Sequence, residues 1–163
     1  MQELKIVPMS TAIAESVRST MRAPVYGFPA HREQATGRAP CRHCLKLIRP
    51  HEEELVLFTF DAFDGQGVPP MPGPVYIHAE SCSPFVGNGR LPEEYRGQPL
   101  TLEGFGEDRK RVGETLIHQG DADRVLQELF HDPAVRYAHV RSTTAGCYLF
   151  RVERAEPGEH TGS

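Results

Sequence analysis

The 163-residue chain contains no tryptophan, and eight Phe and five Tyr hold its aromatic share to 8%. It has no apolar run near the ~20 residues that a membrane-spanning helix needs, which argues against a helical anchor. It has no excess of positive charge either: 18 Lys and Arg stand against 22 Asp and Glu, giving a net charge of −4 and a pI near 6.1. Nucleic-acid binding displaces counterions from phosphates and needs a basic face, so no nucleic acid is expected as partner, and no anionic membrane. The first eight residues carry Glu3 and Lys5 and lack the basic and long apolar regions of a secretory signal. The expected location is therefore cytoplasmic. There is no internal repeat and no low-complexity tract. Cysteine is scarce, with four in the chain. In a reducing compartment these read as metal ligands, reactive thiols or core filling before they read as disulfides.

What is present is an ordinary globular balance, 39% hydrophobic and 25% charged. A chain of this length fits one domain and buries roughly two thirds of its surface without staples. The expectation is a single α+β domain over residues 1–154, followed by a disordered polar tail over 155–163. Leu4–Val7 reads as a short strand stopped by Pro8. Ser10 or Thr11 caps a helix over 11–22, where Ala12, Ile13, Ser16, Val17, Thr20 and Met21 recur at helical spacing. Residues 23–40, with three prolines and two glycines, read as loop. Strands are expected over 54–60, 74–78, 100–105 and 112–118, with glycine- and proline-rich loops over 61–74 and 80–99. A helix opening at Asp121 or Asp123 carries Val125, Leu126, Leu129 and Phe130 on one face and ends at Asp132-Pro133. Residues 137–141 and 147–152 alternate apolar and polar around Thr143-Thr144-Ala145-Gly146, the pattern of an antiparallel hairpin.

Two fragments carry chelating chemistry. Cys41-Arg42-His43-Cys44 is a Cys-x-x-Cys, and His78-Ala79-Glu80-Ser81-Cys82 is a His-x-x-x-Cys. Two residues of bend bring both thiols of a Cys-x-x-Cys onto one ion. Three thiols and an imidazole complete a tetrahedral zinc shell. His78 and Cys82 meet one ion only if the chain turns after His78, because along a strand they would lie about 13 Å apart. Structural zinc knuckles usually place a glycine after the second cysteine, and here Leu45 and Lys46 stand there instead. The competing readings are buried thiols beside a histidine that closes a strand, and a Cys41–Cys44 disulfide. A thioredoxin-type role is discounted, because that motif opens a helix and Pro50 would cut such a helix short. Zinc is favoured over iron by ligand type.

Other candidates are weaker. Glu80, two residues from His78, is a conceivable general base for a zinc-bound water, or else a solvated turn residue. Cys147 and His139 flank the hairpin turn, so a Cys–His nucleophile pair is imaginable, against the plainer reading of a buried small thiol. Tyr137, His139 and Arg141 alternate onto one sheet face, which either lines an anion site or is solvated. Arg109-Lys110-Arg111 is a basic run that holds a phosphate or a partner's carboxylate, or simply rims a hairpin.

Three segments together suggest a family. They are Ala39-Pro40-Cys41-Arg42-His43-Cys44-Leu45, the stretch from Gly73 to Cys82, and the stretch from Phe130 to Arg141 with Ala145-Gly146-Cys147-Tyr148 after it. Over about residues 38–154 the chain resembles the bacterial family catalogued as domain of unknown function 1203. The resemblance implies a small soluble single-domain protein and brings no activity, substrate or cofactor. It makes Cys41, Arg42, His139 and Cys147 the recognisable positions. It implies that a shared task lies near Arg42, His139, Arg141 and Cys147, with Arg42 and Arg141 as candidate ligand-binding residues and the metal confined to a subgroup.

The expected architecture is α+β, a mostly antiparallel sheet of five to seven strands with two main helices on one face. The expected function is a binding or regulatory domain with a structural zinc at Cys41, Cys44, His78 and Cys82, whose partner is a small molecule or a protein. The alternative is an enzyme, either a zinc-assisted hydrolase or a thiol enzyme using Cys147 with His139. The sequence leaves the oligomeric state open.

Overall fold

The computed structural model describes residues 3–66, 71–87, 89–118 and 121–155. Apart from Ala155, the polar tail expected over 155–163 lies outside the described residues. The described residues form ten strands in three antiparallel sheets together with two α-helices, so the mostly antiparallel α+β character holds. The strands divide into sheets of five, three and two. The chain forms two compact units, Pro8–Phe85 and Met1–Val7 with Val86–Ser163. The first is thus inserted after the opening strand of the second.

The inserted unit begins with α1 (Thr11–Thr20). Ser10 caps it by accepting a hydrogen bond from the Ile13 amide at 3.2 Å, which satisfies a donor that the first turn leaves open. Ala14 and Val17 are its buried residues. β2 (His31–Gln34), β5 (Glu54–Phe60) and β6 (Gly73–His78) form the three-stranded sheet, with β5 in the centre. Leu55, Val56, Phe58, Val75 and Ile77 are buried from this sheet. β3 (Ala39–Pro40) and β4 (Leu47–Ile48) make a two-residue ladder that frames the Cys41–Cys44 turn. β2 and β3 lie where a loop is expected. The four residues of β2 are all exposed, so it has no alternation to betray it. Pairing with β5 makes it a strand.

The other unit is a five-stranded sheet in the order β1 (Leu4–Val7), β10 (Tyr148–Arg154), β9 (Tyr137–Ser142), β7 (Leu100–Phe105), β8 (Arg111–Ile117). The expected 137–152 hairpin is β9–β10, with the ladder shifted between Tyr148 and Phe150. Residues two apart on a strand share a face. Leu100, Leu102, Val140, Ala138, Phe150, Val152 and Ile6 are buried, and the ladders place them on one side. α2 (Ala122–Leu129), capped by Asp121, packs by β8. Gly104 and Gly113 face each other across β7 and β8. A Cβ at either would come within 3.2 or 3.3 Å of Leu129 Cδ1, so the missing side chains let the helix approach closely. Arg154 Nη2 donates to the carbonyls of Phe130, Asp132 and Val135, tying down the chain just past the end of α2. The two helices belong to different units.

Candidate metal centre

The metal-ligating residues come from three places in the inserted unit. Cys41 and Cys44 bracket the turn between β3 and β4. His78 ends β6, and Cys82 follows a bend at residues 79–80. The required turn after His78 is therefore present. Inside the first turn, the Leu45 amide donates to the Cys41 carbonyl at 2.9 Å and the Cys41 amide to the Lys46 carbonyl at 2.9 Å. Leu45 has φ +58°, the left-handed conformation that a knuckle glycine would supply. The absent glycine is thus no obstacle. A fully buried leucine holds the same backbone, at a local cost of about 1–2 kcal/mol.

The four ligand atoms all lie within 4.8 Å of one another. Cys41 Sγ and Cys82 Sγ are 3.8 Å apart, and Cys44 Sγ and His78 Nδ1 are 3.4 Å apart. With Zn–S near 2.3 Å and Zn–N near 2.0–2.1 Å, tetrahedral edges come to about 3.8 Å for sulfur–sulfur and about 3.6 Å for sulfur–nitrogen. The donor set therefore fits one tetrahedral ion in size and chemistry. All four cysteines of the chain are free thiols, so the disulfide between Cys41 and Cys44 is not formed.

The surroundings orient the ligands. His78 Nε2, the nitrogen away from the cluster, lies 3.3 Å from Glu53 Oε1. A carboxylate on the far nitrogen of a ligand imidazole fixes its tautomer and raises its basicity. Glu53 is itself held by Arg49, whose amide donates to Oε1 at 2.9 Å. That bond, followed by the charge of His78, keeps the Glu53 carboxyl below its ordinary range. Arg18 of α1 reaches the other end of the cluster, donating Nη2–H to Cys82 Sγ at 3.2 Å and Nε–H to the His78 carbonyl at 3.0 Å. His43 is fully buried, with Nδ1 3.2 Å from Cys82 Sγ and Nε2 2.9 Å from Thr11 Oγ1. Burial lowers its proton affinity, which favours the neutral ring, bonded to the sulfur through one nitrogen and to the threonine through the other. The His78 amide also donates to Cys41 Sγ at 3.3 Å.

The charge state follows from these contacts. Hydrogen bonds from Cys44 and Cys82 hold the Cys41 thiol far below its usual pKa, while Cys44, bonded to Cys41 and Cys82, is pushed up. The direction favours negative charge on Cys41 over Cys44. His78, facing Cys41 and Cys82, is pushed up to about 10. A thiol held low beside an imidazole held high is a set whose protons a divalent cation displaces on binding.

The remaining sequence candidates lie elsewhere. Glu80 is exposed and its Oε1 accepts from Arg32 Nη2 at 2.8 Å, so the carboxylate beside the histidine ring is Glu53. Arg42 is buried, donating to the Pro40 carbonyl at 2.7 Å with its guanidinium 5.8 Å from the Tyr76 ring centre. Arg141 Nε donates to Glu103 at 2.6 Å, and Arg111 holds the other oxygen of that buried carboxylate. Both arginines are engaged within the protein. Cys147 and His139 are not brought together. The β9–β10 register sets His139 opposite Arg151, four positions along from Cys147, and Cys147 Sγ lies 3.7 Å from the Ala145 carbonyl. His139 is fully buried among the rings of Phe105, Tyr137 and Tyr148. Nothing local in the sequence marks Glu53, His43 or Arg18 as neighbours of the cluster. Their separations of 25, 39 and 64 residues from the ligands they touch are closed only by the tertiary fold.

Fold and site together define an α+β protein with a cluster of three cysteines and one histidine. The chain belongs to the family described as "Protein of unknown function (DUF1203)", which matches residues 38–154, a span that includes all four cluster residues. No curated protein and no solved structure matches the chain. Among the described residues no helix is long and apolar enough to cross a membrane.

Proposed function

We propose that this protein is a binding or regulatory domain whose inserted unit is held together by a structural zinc ion on Cys41, Cys44, His78 and Cys82. The observation that carries the reading is the convergence of four ligand atoms within 4.8 Å. Four protein ligands fill a tetrahedron, which favours a closed structural site over one that keeps a position for water. Arg18, His43 and Glu53 support the same reading, because each orients or neutralises a ligand without offering a substrate position. When bound, zinc supplies a cross-link between the 41–44 turn and the end of β6, across a stretch of chain that otherwise closes at an entropic cost. Such binding energy is folding energy. Zinc suits this soft thiolate–imidazole set without a redox role. Free thiols fit a reducing compartment such as the cytoplasm.

Metal content by inductively coupled plasma mass spectrometry tests this directly, on untagged protein purified without chelator and on Cys82→Ser. The expected result is near one zinc per chain, lost in the variant. No stoichiometric metal in the unmodified protein would overturn the proposal.

A further inference from the structure

A second constellation lies in the other unit, at one end of the five-stranded sheet. The turn from β7 to β8 and the start of β9 enclose an open cleft of about 440 Å³, bordered by Glu107, Asp108, Arg109, Arg136, Tyr137 and Arg151. Ligand pockets typically run from about 300 to 1,000 Å³. Three guanidinium groups border it, and they are not equivalent. Arg136 is paired with Glu107 at 2.8 Å, on the exposed rim. Arg151 is bound to Glu153 at 2.9 Å and lies 3.8 Å from the centre of the Tyr137 ring. Arg109 makes no ion pair with a described residue.

Tyr137 lines the cleft with its ring held by neighbours. Its ring stacks on Phe105 at 5.4 Å and an interplanar angle of 21°, with Arg151 against it. The charges that act on its hydroxyl are those of Arg151 and Arg109, both cationic, working against the burial that raises its proton affinity. Positive charge therefore reaches this hydroxyl from one strand, β10, and from the turn between β7 and β8. The turn itself is unusual: Asp108 and Arg109 are consecutive non-glycine residues, each at φ +59°. Backbone held in a sparsely populated region is a reason to ask what it positions, and here it places Arg109 on the border of the cleft that Tyr137 also lines.

We propose that this cleft binds a small molecule by a phosphate or carboxylate group, with Arg109 and Arg151 supplying charge and directional donors and the Tyr137 hydroxyl a hydrogen bond. A planar guanidinium donates two parallel hydrogen bonds to either oxyanion. The cleft is larger than an oxyanion, so the ligand carries a body beyond that group. Asp108 at the rim favours a ligand with a hydrogen-bond donor next to its anionic end. This inference is independent of the zinc reading, since none of its residues belongs to the inserted unit.

The test is a titration of ¹⁵N-labelled protein with inorganic phosphate and, separately, acetate, at ionic strength held constant with KCl. Arginine Nε–Hε resonances and the backbone amides of residues 106–110 and 136–137 are followed. The expected result is a saturable shift centred on those residues with at least one anion, stronger for phosphate if the ligand is a phosphate ester and for acetate if it is a carboxylate. Arg151→Gln weakens binding at least tenfold. Arg109→Gly does the same with an unchanged or raised unfolding midpoint, because glycine suits the turn, so lost binding in that variant is not lost folding. Shifts that fail to saturate, shifts that KCl alone reproduces, or binding that survives Arg109→Gly within twofold would overturn the proposal.

Discussion

Glu53 stands behind His78. Its Oε1 lies 3.3 Å from Nε2 while Nδ1 of the same ring faces the Cys44 sulfur at 3.4 Å. Carboxylate, imidazole and sulfur are thereby in series, an order in which the carboxylate holds the ring in its metal-binding tautomer. Outer partners of this kind are commonly worth 10–100-fold in metal affinity. Glu53→Gln should therefore weaken zinc binding by about that factor, measured by competition with a chromophoric chelator. Glu80→Gln, which removes only an exposed partner of Arg32, should leave affinity unchanged. Equal effects of the two substitutions would remove Glu53 from the site.

The ligands themselves are legible in the sequence because their chemistry is local. Cys-x-x-Cys encodes its own bend, and His-x-x-x-Cys needs only a turn. Glu53 is not legible in that way. It sits in a run of three glutamates that reads as a solvated lead-in to a strand, and only the β5–β6 register, with Leu55 opposite His78, reveals which of them reaches the ring. The strand β5 is found at its expected limits because Leu55 to Phe60 is rich in β-branched and aromatic residues, whereas β2 is polar throughout and exists through its neighbour. His139 misleads for a related reason. Alternation puts it on a polar face, but the aromatic rings of that face close over it.

Leu45 separates backbone strain from packing. Its left-handed φ costs energy that glycine would avoid, yet its side chain is wholly buried. Leu45→Ala keeps the strain and loses the packing, so it should destabilise by about 2–5 kcal/mol. Leu45→Gly also loses the packing but relieves the strain, and should be more stable than Leu45→Ala by about 0.5–1 kcal/mol. Urea unfolding of both zinc-saturated variants measures the difference. Glycine less stable than alanine would mean that the turn stores no strain at this position.

The buried carboxylate of Glu103 depends on two arginines. Arg141, itself mostly buried, binds one oxygen at 2.6 Å, and the more exposed Arg111 binds the other at 3.1 Å. Removing one partner of a buried pair leaves a charge poorly compensated, at a cost of about 3–5 kcal/mol when it was the sole partner. Because Arg111 remains, Arg141→Met should cost somewhat less, about 2–3 kcal/mol. Glu103→Gln combined with Arg141→Met should recover part of that loss. A double variant whose loss equals the sum of the two single losses would show that the pair is not coupled.

His139 makes the fold acid-sensitive in a predictable direction. Burial, followed by the charges of Arg141 and Arg151, lowers its pKa from 6.5 to about 3. The unfolded chain accepts this proton far more readily than the folded one. Between about pH 6.5 and pH 3 the unfolded state therefore holds more protons, and stability falls as pH falls. Each unit of difference is worth about 1.4 kcal/mol, so the step from pH 7 to pH 5 should cost about 2 kcal/mol through this residue alone. His139→Phe fills the aromatic surroundings with a ring that does not titrate. Carboxylates and the metal cluster also respond to acid, so the informative quantity is the difference in slope between the two proteins. Denaturant unfolding at constant zinc saturation should show a shallower loss for His139→Phe over this pH range. Parallel slopes would mean that His139 takes up its proton without unfolding the sheet, and that its burial does not couple to stability.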